Sequence, residues 1–288
     1  MAKGRELKGR IKSVENTRKI TRTMEMVATS KMKRAMDRVI AARPYAAALG
    51  EVMSQLYSPD LAERFPLLRQ PTQVKRAAVL LITGNRGLSG PFNANLIRES
   101  RTLIAQLERD GVEVELHAVG RKGLGYYKYI GRAIASSRID IGDRPTARNA
   151  AELVDNLMSG FAKGLLDAVY IVHAHFRSAI STPPTTEKIL PVTPPATKES
   201  KHHDYLLFPS AEQILSSLLP SYVRNMVYRA LVENTAAFYS AQRTAMKNAT
   251  DNASDMLNIL RRTYNRARQA NITQEIAEIV GGAAALQG

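Results

Sequence analysis

Two heptad seams, one near each end of the chain, limit what this sequence can fold into. From Ala28 small and apolar residues return at alternating intervals of four and three: Ala28, Met32, Ala35, Val39, Ala42, Ala46, Leu49, Met53 and Leu56. Lys31, Lys33, Arg34, Asp37 and Arg38 fall off that line. Such spacing marks a helix that packs along one stripe against a second helix. Upstream, Leu7, Ile11, Val14, Ile20, Met24 and Val27 read as a looser continuation, so residues 3–57 form one long helix. Pro44 bends or loosens it without ending it, because the seam resumes in phase beyond.

The other end mirrors this. Ser210-Ala-Glu-Gln213, directly after Pro209, is a capping-box start. Beyond Gln213 the chain holds Pro220 and no glycine before Gly281. Its seam reads Met246, Ala249, Ala253, Met256, Leu260, Thr263, Ala267, Ala270, Gln274 and Ala277. At 1.5 Å per residue these helices reach about 80 and about 110 Å. A domain of this size is roughly a few tens of ångströms across, so the helices must project from it. The alanine-rich seams favour close approach and a slim rod.

Between them the pattern changes. Ala77-Ala-Val-Leu-Leu-Ile-Thr83 is a buried-strand run, followed by a glycine turn and a helix over 91–110. A strand (112–119), a short helix (122–130), a strand (133–136), a helix (147–163), a strand (168–175) and an extended segment (185–191) complete it. Strands alternating with helices predict a mostly parallel sheet. The expected fold is therefore α/β: a long antiparallel two-helix coiled coil formed by the N- and C-terminal helices, with an inserted Rossmann-like domain. The expected divisions are 1–57, 75–192 and 209–288, with 191–203 a loop leading back to the rod.

Charge is unevenly spread. The net charge of +15 is concentrated in residues 1–57, which hold 13 Lys/Arg against 5 Asp/Glu. Residues 58–208 hold 20 against 15, and 209–288 hold 8 against 6. A basic helix suits nucleic acid, an anionic surface or an acidic protein partner. No Trp, Phe or Tyr precedes Tyr45, so the stacking platforms of single-strand binders are missing there. Nucleic acid is not the expected partner, and part of the charge is a solvated face. With no cysteine there is no disulfide framework, thiol nucleophile or Cys-based zinc site. No run approaches the roughly 18 apolar residues of a membrane span.

Gly84-Asn-Arg-Gly87-Leu-Ser-Gly90-Pro91 sits where dinucleotide-binding folds keep their phosphate loop. Its spacing is GxxGxxG, no acidic residue ends the second strand, and no Gly-Lys-Ser/Thr comes after it. It reads as a structural turn with Pro91 at the first helical position, nucleotide binding being the open alternative. His173 and His175 share a strand face and His202-His203 lie in the loop, but no further ligands complete a metal site. No catalytic constellation, cofactor site or metal site is expected.

The stretch Arg10-Ile-Lys-Ser-Val-Glu-Asn-Thr-Arg-Lys19, continuing Ile20-Thr-Arg-Thr-Met24-Glu-Met-Val-Ala-Thr-Ser-Lys-Met32-Lys, resembles the N-terminal helix of the F-type ATP synthase gamma-subunit family. Tyr264-Asn-Arg-Ala-Arg-Gln-Ala-Asn-Ile-Thr-Gln-Glu-Ile-Ala-Glu-Ile-Val-Gly-Gly-Ala284 resembles its C-terminal helix. Arg86-Gly-Leu-Ser-Gly90 with Asn93, and Thr250-Asp-Asn252, resemble further family motifs, so the likeness spans essentially the whole chain.

The resemblance implies a non-catalytic rotor shaft of bacterial type, one copy per complex. It couples proton flow through a membrane c-ring to ATP synthesis or hydrolysis at an alpha–beta hexamer, and its partners are the alpha, beta and epsilon subunits and the c-ring. Membrane contact is only through the c-ring, on the cytoplasmic face of the inner membrane. Lys19, Arg22 and Met24 are expected to face an acidic loop of the beta subunit. Arg268, Gln269, Thr273 and Glu275 belong to the region gripped by the hexamer, and Ile272, Ile276, Ile279 and Val280 form an apolar axle tip. Asp204, Tyr205 and Phe208 are the expected c-ring and epsilon end. The family loop usually reads Ser-Asp-Arg-Gly-Leu-Cys-Gly-Gly, and an acidic residue often stands where this chain has Phe208.

Overall fold

The computed structural model describes residues 2–56, 64–193 and 210–287. They fall into two compact units, residues 29–241 and residues 1–28 together with 242–288. Helix α1 (Ala2–Leu56) and the last helix (Ala211–Gln287) each contribute to both. Pro44 and Pro220 lie inside these helices without ending them.

The larger unit is built on a five-stranded sheet. A 3-10 turn (Pro66–Leu68) leads into β1 (Arg76–Ile82), α2 (Phe92–Arg109), β2 (Glu113–Val119), α3 (Arg121–Tyr129) and β3 (Ser136–Arg138). Then come α4 (Ala147–Ala162), β4 (Ala168–Ala174), β5 (Pro184–Leu190) and the last helix, α5. The strand order is β3-β2-β1-β4-β5. The first four strands are parallel, with Ala77 between Val114 of β2 and Ala168 of β4. β5 returns antiparallel to β4. β1 has every residue after Arg76 buried, as a continuous apolar run in a sheet covered on both faces requires. Ala78, Leu80 and Ile82 join one apolar cluster with Val154, Leu157 and Phe161 of α4, Leu215 to Leu231 of α5, and Met53 and Leu56 of α1. Ala77, Val79 and Leu81 join the other, with Phe92, Leu96 and Ile104 of α2 and Ala236 and Phe238 of α5.

Two local expectations shift. The third strand is 136–138, not 133–136, because the chain first leaves α3 through Gly131 at φ +72° and the Arg132 N–H bonds back to the Tyr127 carbonyl at 3.0 Å. Pro91 is the N-cap of α2, one position before the first helical residue. The expected capping at Ser210 is present, its hydroxyl accepting from the Gln213 N–H at 3.3 Å.

Near one margin of this unit, Asp143 gathers groups from three elements. Lys31 Nζ of α1 lies 2.8 Å from Asp143 Oδ2, and Arg86 Nη2 of the loop after β1 lies 2.6 Å from Oδ1. Both cations also donate to the Tyr239 hydroxyl of α5, at 3.3 and 3.0 Å. Arg38 of α1 donates to the Asp143 carbonyl at 2.7 Å. Burial pushes the Asp143 carboxyl up, but hydrogen bonds from Lys31, Tyr239 and Arg86 outweigh it and bring it down to about 2. The Tyr239 hydroxyl is pushed above its ordinary value, first by burial and then by Asp143.

In the smaller unit the two helices run antiparallel. The Thr250 hydroxyl donates to the Thr21 hydroxyl at 2.8 Å, and Arg261 Nη2 lies 3.8 Å from Glu15 Oε1. As one residue number rises its partner's falls. The seam of α1 continues in strict four-three phase through Leu7, Ile11, Val14, Arg18 and Thr21 to Ala28, all buried or half-buried. This corrects the upstream expectation, since Ile20 and Val27 stand off the seam and are 60 % and 51 % exposed. On α5 the seam is Met246, Thr250, Ala253, Leu257, Leu260, Tyr264, Ala267 and Asn271. Leu257 is buried and Met256 exposed, and Thr263, Ala270 and Ala277 are likewise outside it. The expected line had drifted by one residue, which in a helix is about 100°.

Candidate interaction surfaces

In an open α/β sheet a ligand binds outside the carboxyl ends of the strands where the strand order reverses. Here that point lies between β1 and β4, and α5 fills it. Asn234 Oδ1 accepts from the Ala174 N–H at the end of β4 (3.1 Å), and Glu233 Oε2 accepts from the Phe176 N–H (3.2 Å). Phe238 stands over Gly84, where an added Cβ would meet its ring at 3.0 Å. Asn93 Oδ1 takes the Gly84 N–H at 2.8 Å and Asn93 Nδ2 reaches the Arg86 carbonyl at 3.2 Å, so the loop spends its polar groups on itself. The N-terminus of α3 is closed as well. The N–H groups of Arg121, Lys122 and Gly123 go to Asn85 Oδ1, the Gly84 carbonyl and Thr83 Oγ1. What remains is a cavity of about 60 Å³, against roughly 300–1,000 Å³ for small-molecule sites. The glycine loop is a structural turn.

His173 of β4 and His175 just beyond it have carboxylate partners that spacing did not reveal. His173, fully buried, has Nε2 3.5 Å from Glu187 Oε1 of β5. His175 Nδ1 lies 2.5 Å from Glu233 Oε2 of α5. Arg229 bridges the carboxylates, 2.9 Å from Glu187 and 3.8 Å from Glu233. His173 first, then Arg229, hold the Glu187 carboxyl down to about 2 despite burial. Among the described residues no group of three or more His, Cys, Asp or Glu is placed to hold a metal. The network fastens the β4–β5 hairpin to α5.

In the smaller unit the expected contact residues are displayed on the outside. Arg268, Gln269, Ile272, Thr273, Glu275, Ile276, Ile279 and Val280 are all exposed, Ile276 and Ile279 by 57 % and 71 %. At 3.6 residues per turn they share about half of the helix circumference. The isoleucines do not continue the seam. That line, prolonged past Asn271, passes through Gln274 and Glu278, which bond to each other at 2.9 Å. The apolar face is turned roughly a third of the circumference away and so is not made for α1. Counting back from Thr21–Thr250, α1 runs out of residues near position 271 of its partner, and every described side chain from Ile272 to Ala283 is exposed.

On α1 the expected trio separates. Lys19 is exposed on the side away from the seam; Arg22 and Met24 flank it on opposite sides, Arg22 exposed and Met24 half-buried. Lys19, Arg22 and Arg268 make no ion pair among the described residues. Asp204, Tyr205, Phe208 and His202-His203 lie outside the described residues.

The family described as ATP synthase matches residues 3–286. An ATP synthase gamma chain from Gemmatimonas aurantiaca is 66% identical over 290 residues, covering 100% of both chains. One from Leptospira biflexa is 43% identical over 288 residues, covering 99% of this chain and 100% of the relative. Among solved structures, a chain of the Tetrahymena thermophila mitochondrial ATP synthase central stalk and c-ring is similar, with TM-score 0.62 and 26% identity. The match covers 80% of this chain and 99% of that one. A chain of the Euglena gracilis mitochondrial ATP synthase rotor superposes with TM-score 0.65 at 17% identity, covering 94% and 99%, a likeness of fold.

Proposed function

The chain belongs to the ATP synthase gamma-chain family, and on that premise we propose how its parts act as the rotor shaft of the complex. It is a central-stalk subunit without a catalytic role of its own. Its two-helix unit stands in the cavity of an alpha–beta hexamer, and its α/β unit meets epsilon and the c-ring. One copy serves each complex. Proton flow turns ring and shaft together, and an asymmetric shaft drives the surrounding catalytic sites through states of different nucleotide affinity. Among the described residues no helix is long and apolar enough to cross a membrane. The chain is a peripheral component of a membrane-associated complex, and we place it on the cytoplasmic face of a bacterial inner membrane.

The observation that carries this reading is the isoleucine face of α5. A contiguous apolar patch left open on a soluble chain marks an interaction surface. Ile272, Ile276, Ile279 and Val280 lie outside the intramolecular seam, with Arg268 and Glu275 at their borders. That suits an apolar sleeve with a polar rim, and the exposed cations Lys19 and Arg22 suit an acidic loop on the same partner. Asp204, Tyr205 and Phe208 are assigned to the c-ring and epsilon end from sequence.

The test is co-purification. A tagged full-length chain, expressed with the other subunits, is expected to bring down an alpha–beta hexamer and a c-ring. The chain lacking residues 277–288 should bring down much less hexamer while retaining the ring. Equal hexamer recovery with and without the tip removes the isoleucine face from the shaft reading.

A further inference from the structure

A shaft transmits torque only if its helices cannot turn where they are rooted, and apolar packing, being non-directional, does little by itself to fix a helix's rotation. Ala35, Ala236 and Ala237 are buried there beside Met32, Val39 and Phe238. Directional polar bonds to the helix flank resist rotation better, because their energy falls steeply with angle. Within the unit of residues 29–241, α1 begins at Thr29 and α5 runs up to Ala241. The Asp143 cluster sits two residues in from each of these positions, holding Lys31 of α1 and Tyr239 of α5 at one point. Arg86 joins that point to the loop after β1, and Arg38 takes the Asp143 carbonyl one helical repeat further in.

We infer that Asp143, with Lys31, Arg86 and Tyr239, is the collar that locks α1 and α5 to the loop after β1 within residues 29–241, so that torque on the two helices passes to the sheet without slip. Asp143 is a positioning residue, and the inference rests on the shaft reading. One carboxylate serves both helices, which makes the collar sensitive to a single change. Its groups are part-exposed, with side-chain exposures of 31% for Lys31 and 40% for Asp143, so the grip is moderate and its loss leaves a folded unit. The aromatic packing of Phe238 on Phe92 and Tyr239 and the Glu233 anchor remain when the collar is cut.

The experiment uses the assembled complex in inverted membrane vesicles, comparing ATP hydrolysis with ATP-driven proton uptake. With Asp143→Asn, hydrolysis should stay close to wild type while the fraction of turnovers that move no protons rises about fivefold, the factor that ~1 kcal/mol of lost grip gives. Asp143→Glu should restore coupling, and Lys31→Gln, which spares the loop, should slip in the same sense. Proton uptake per ATP equal to wild type in both Asp143→Asn and Lys31→Gln overturns the collar, as does a parallel loss of hydrolysis and uptake that Asp143→Glu does not rescue. If wild-type chain fails to support proton uptake in vesicles that hydrolyse ATP, it is the shaft reading that fails.

Discussion

Replacing Phe238 by alanine tests whether α5 is what closes the crevice at the carboxyl ends of β1 and β4. The ring is 7 % exposed and meets Phe92 edge-on, centroids 5.6 Å apart at 79°. It meets Tyr239 in the same manner at 5.3 Å. Truncation removes these contacts and opens a void onto the existing cavity of about 60 Å³. Core Phe→Ala changes cost about 3–5 kcal/mol; the lower end applies here, because water can enter from the cavity. Of that, about 0.5–1.5 kcal/mol belongs to the ring pair itself, and a double-mutant cycle with Phe92→Ala isolates it. Urea unfolding followed by tyrosine fluorescence reads the right unit, since Tyr264 is the one tyrosine outside residues 29–241. A loss below about 1 kcal/mol, or no coupling between the two rings, would refute the account of α5 as the plug. Calorimetric titration of the same variant with ATP should still show no binding, because Asn93 continues to occupy the Gly84 N–H.

Gly120→Ala should abolish soluble expression, because a Cβ there would lie 2.2 Å from the Thr83 carbonyl oxygen at φ +93°; Gly125→Ala, with nothing within 4 Å, should gain up to about 1 kcal/mol in the same urea assay. Glu187, held down to about 2 by His173 and Arg229, contributes stability that is complete above the ordinary Glu range and lost as pH falls through about 2. Acid melts of Glu187→Gln should therefore be flatter between about pH 5 and pH 2 than wild type, and parallel curves would show that the network does not stabilise. Met24→Lys should lower protons pumped per ATP hydrolysed by adding a cation beside the seam, at the place proposed for contact with an acidic loop of the beta subunit; an unchanged ratio would remove Met24 from that contact.

Helix and strand existence were legible because period and length are local properties. The seams failed by one residue where hydrophobicity competed with phase. Ile20 and Val27 are more apolar than Thr21 and Ala28, yet strict four-three spacing put the latter pair inside. Met256 and Leu257 are the same contest at the other end. The polar clusters were illegible for a different reason. Asp143 meets Lys31, Arg86 and Tyr239 across separations of 112, 57 and 96 positions, and Glu233 meets His175 across 58. Only the sheet order and the course of α5 bring them together. The exposed isoleucines were visible as residues of the tip, but their offset from the seam required the observed phase of Asn271, Gln274 and Glu278.

The hydroxyl pair of Thr21 and Thr250 has a mechanical meaning of its own. Thr21 passes its proton to the Arg18 carbonyl at 3.1 Å, leaving its oxygen to receive Thr250 at 2.8 Å; Thr250 has the Met246 carbonyl of its own helix as a second acceptor at 2.9 Å, so only the bond across the seam requires the two to be level. Methyl and methylene neighbours on either side, Met24 and Ala28 against Met246 and Ala253, would tolerate axial sliding with little loss. Twisting a two-stranded cable makes its strands creep lengthwise past each other, and a creep of one turn, about 5.4 Å, would break the bond across the seam while leaving each hydroxyl on the carbonyl of its own helix. The pair therefore marks one register of the two helices, favoured over its neighbours by a single hydrogen bond of about 1 kcal/mol.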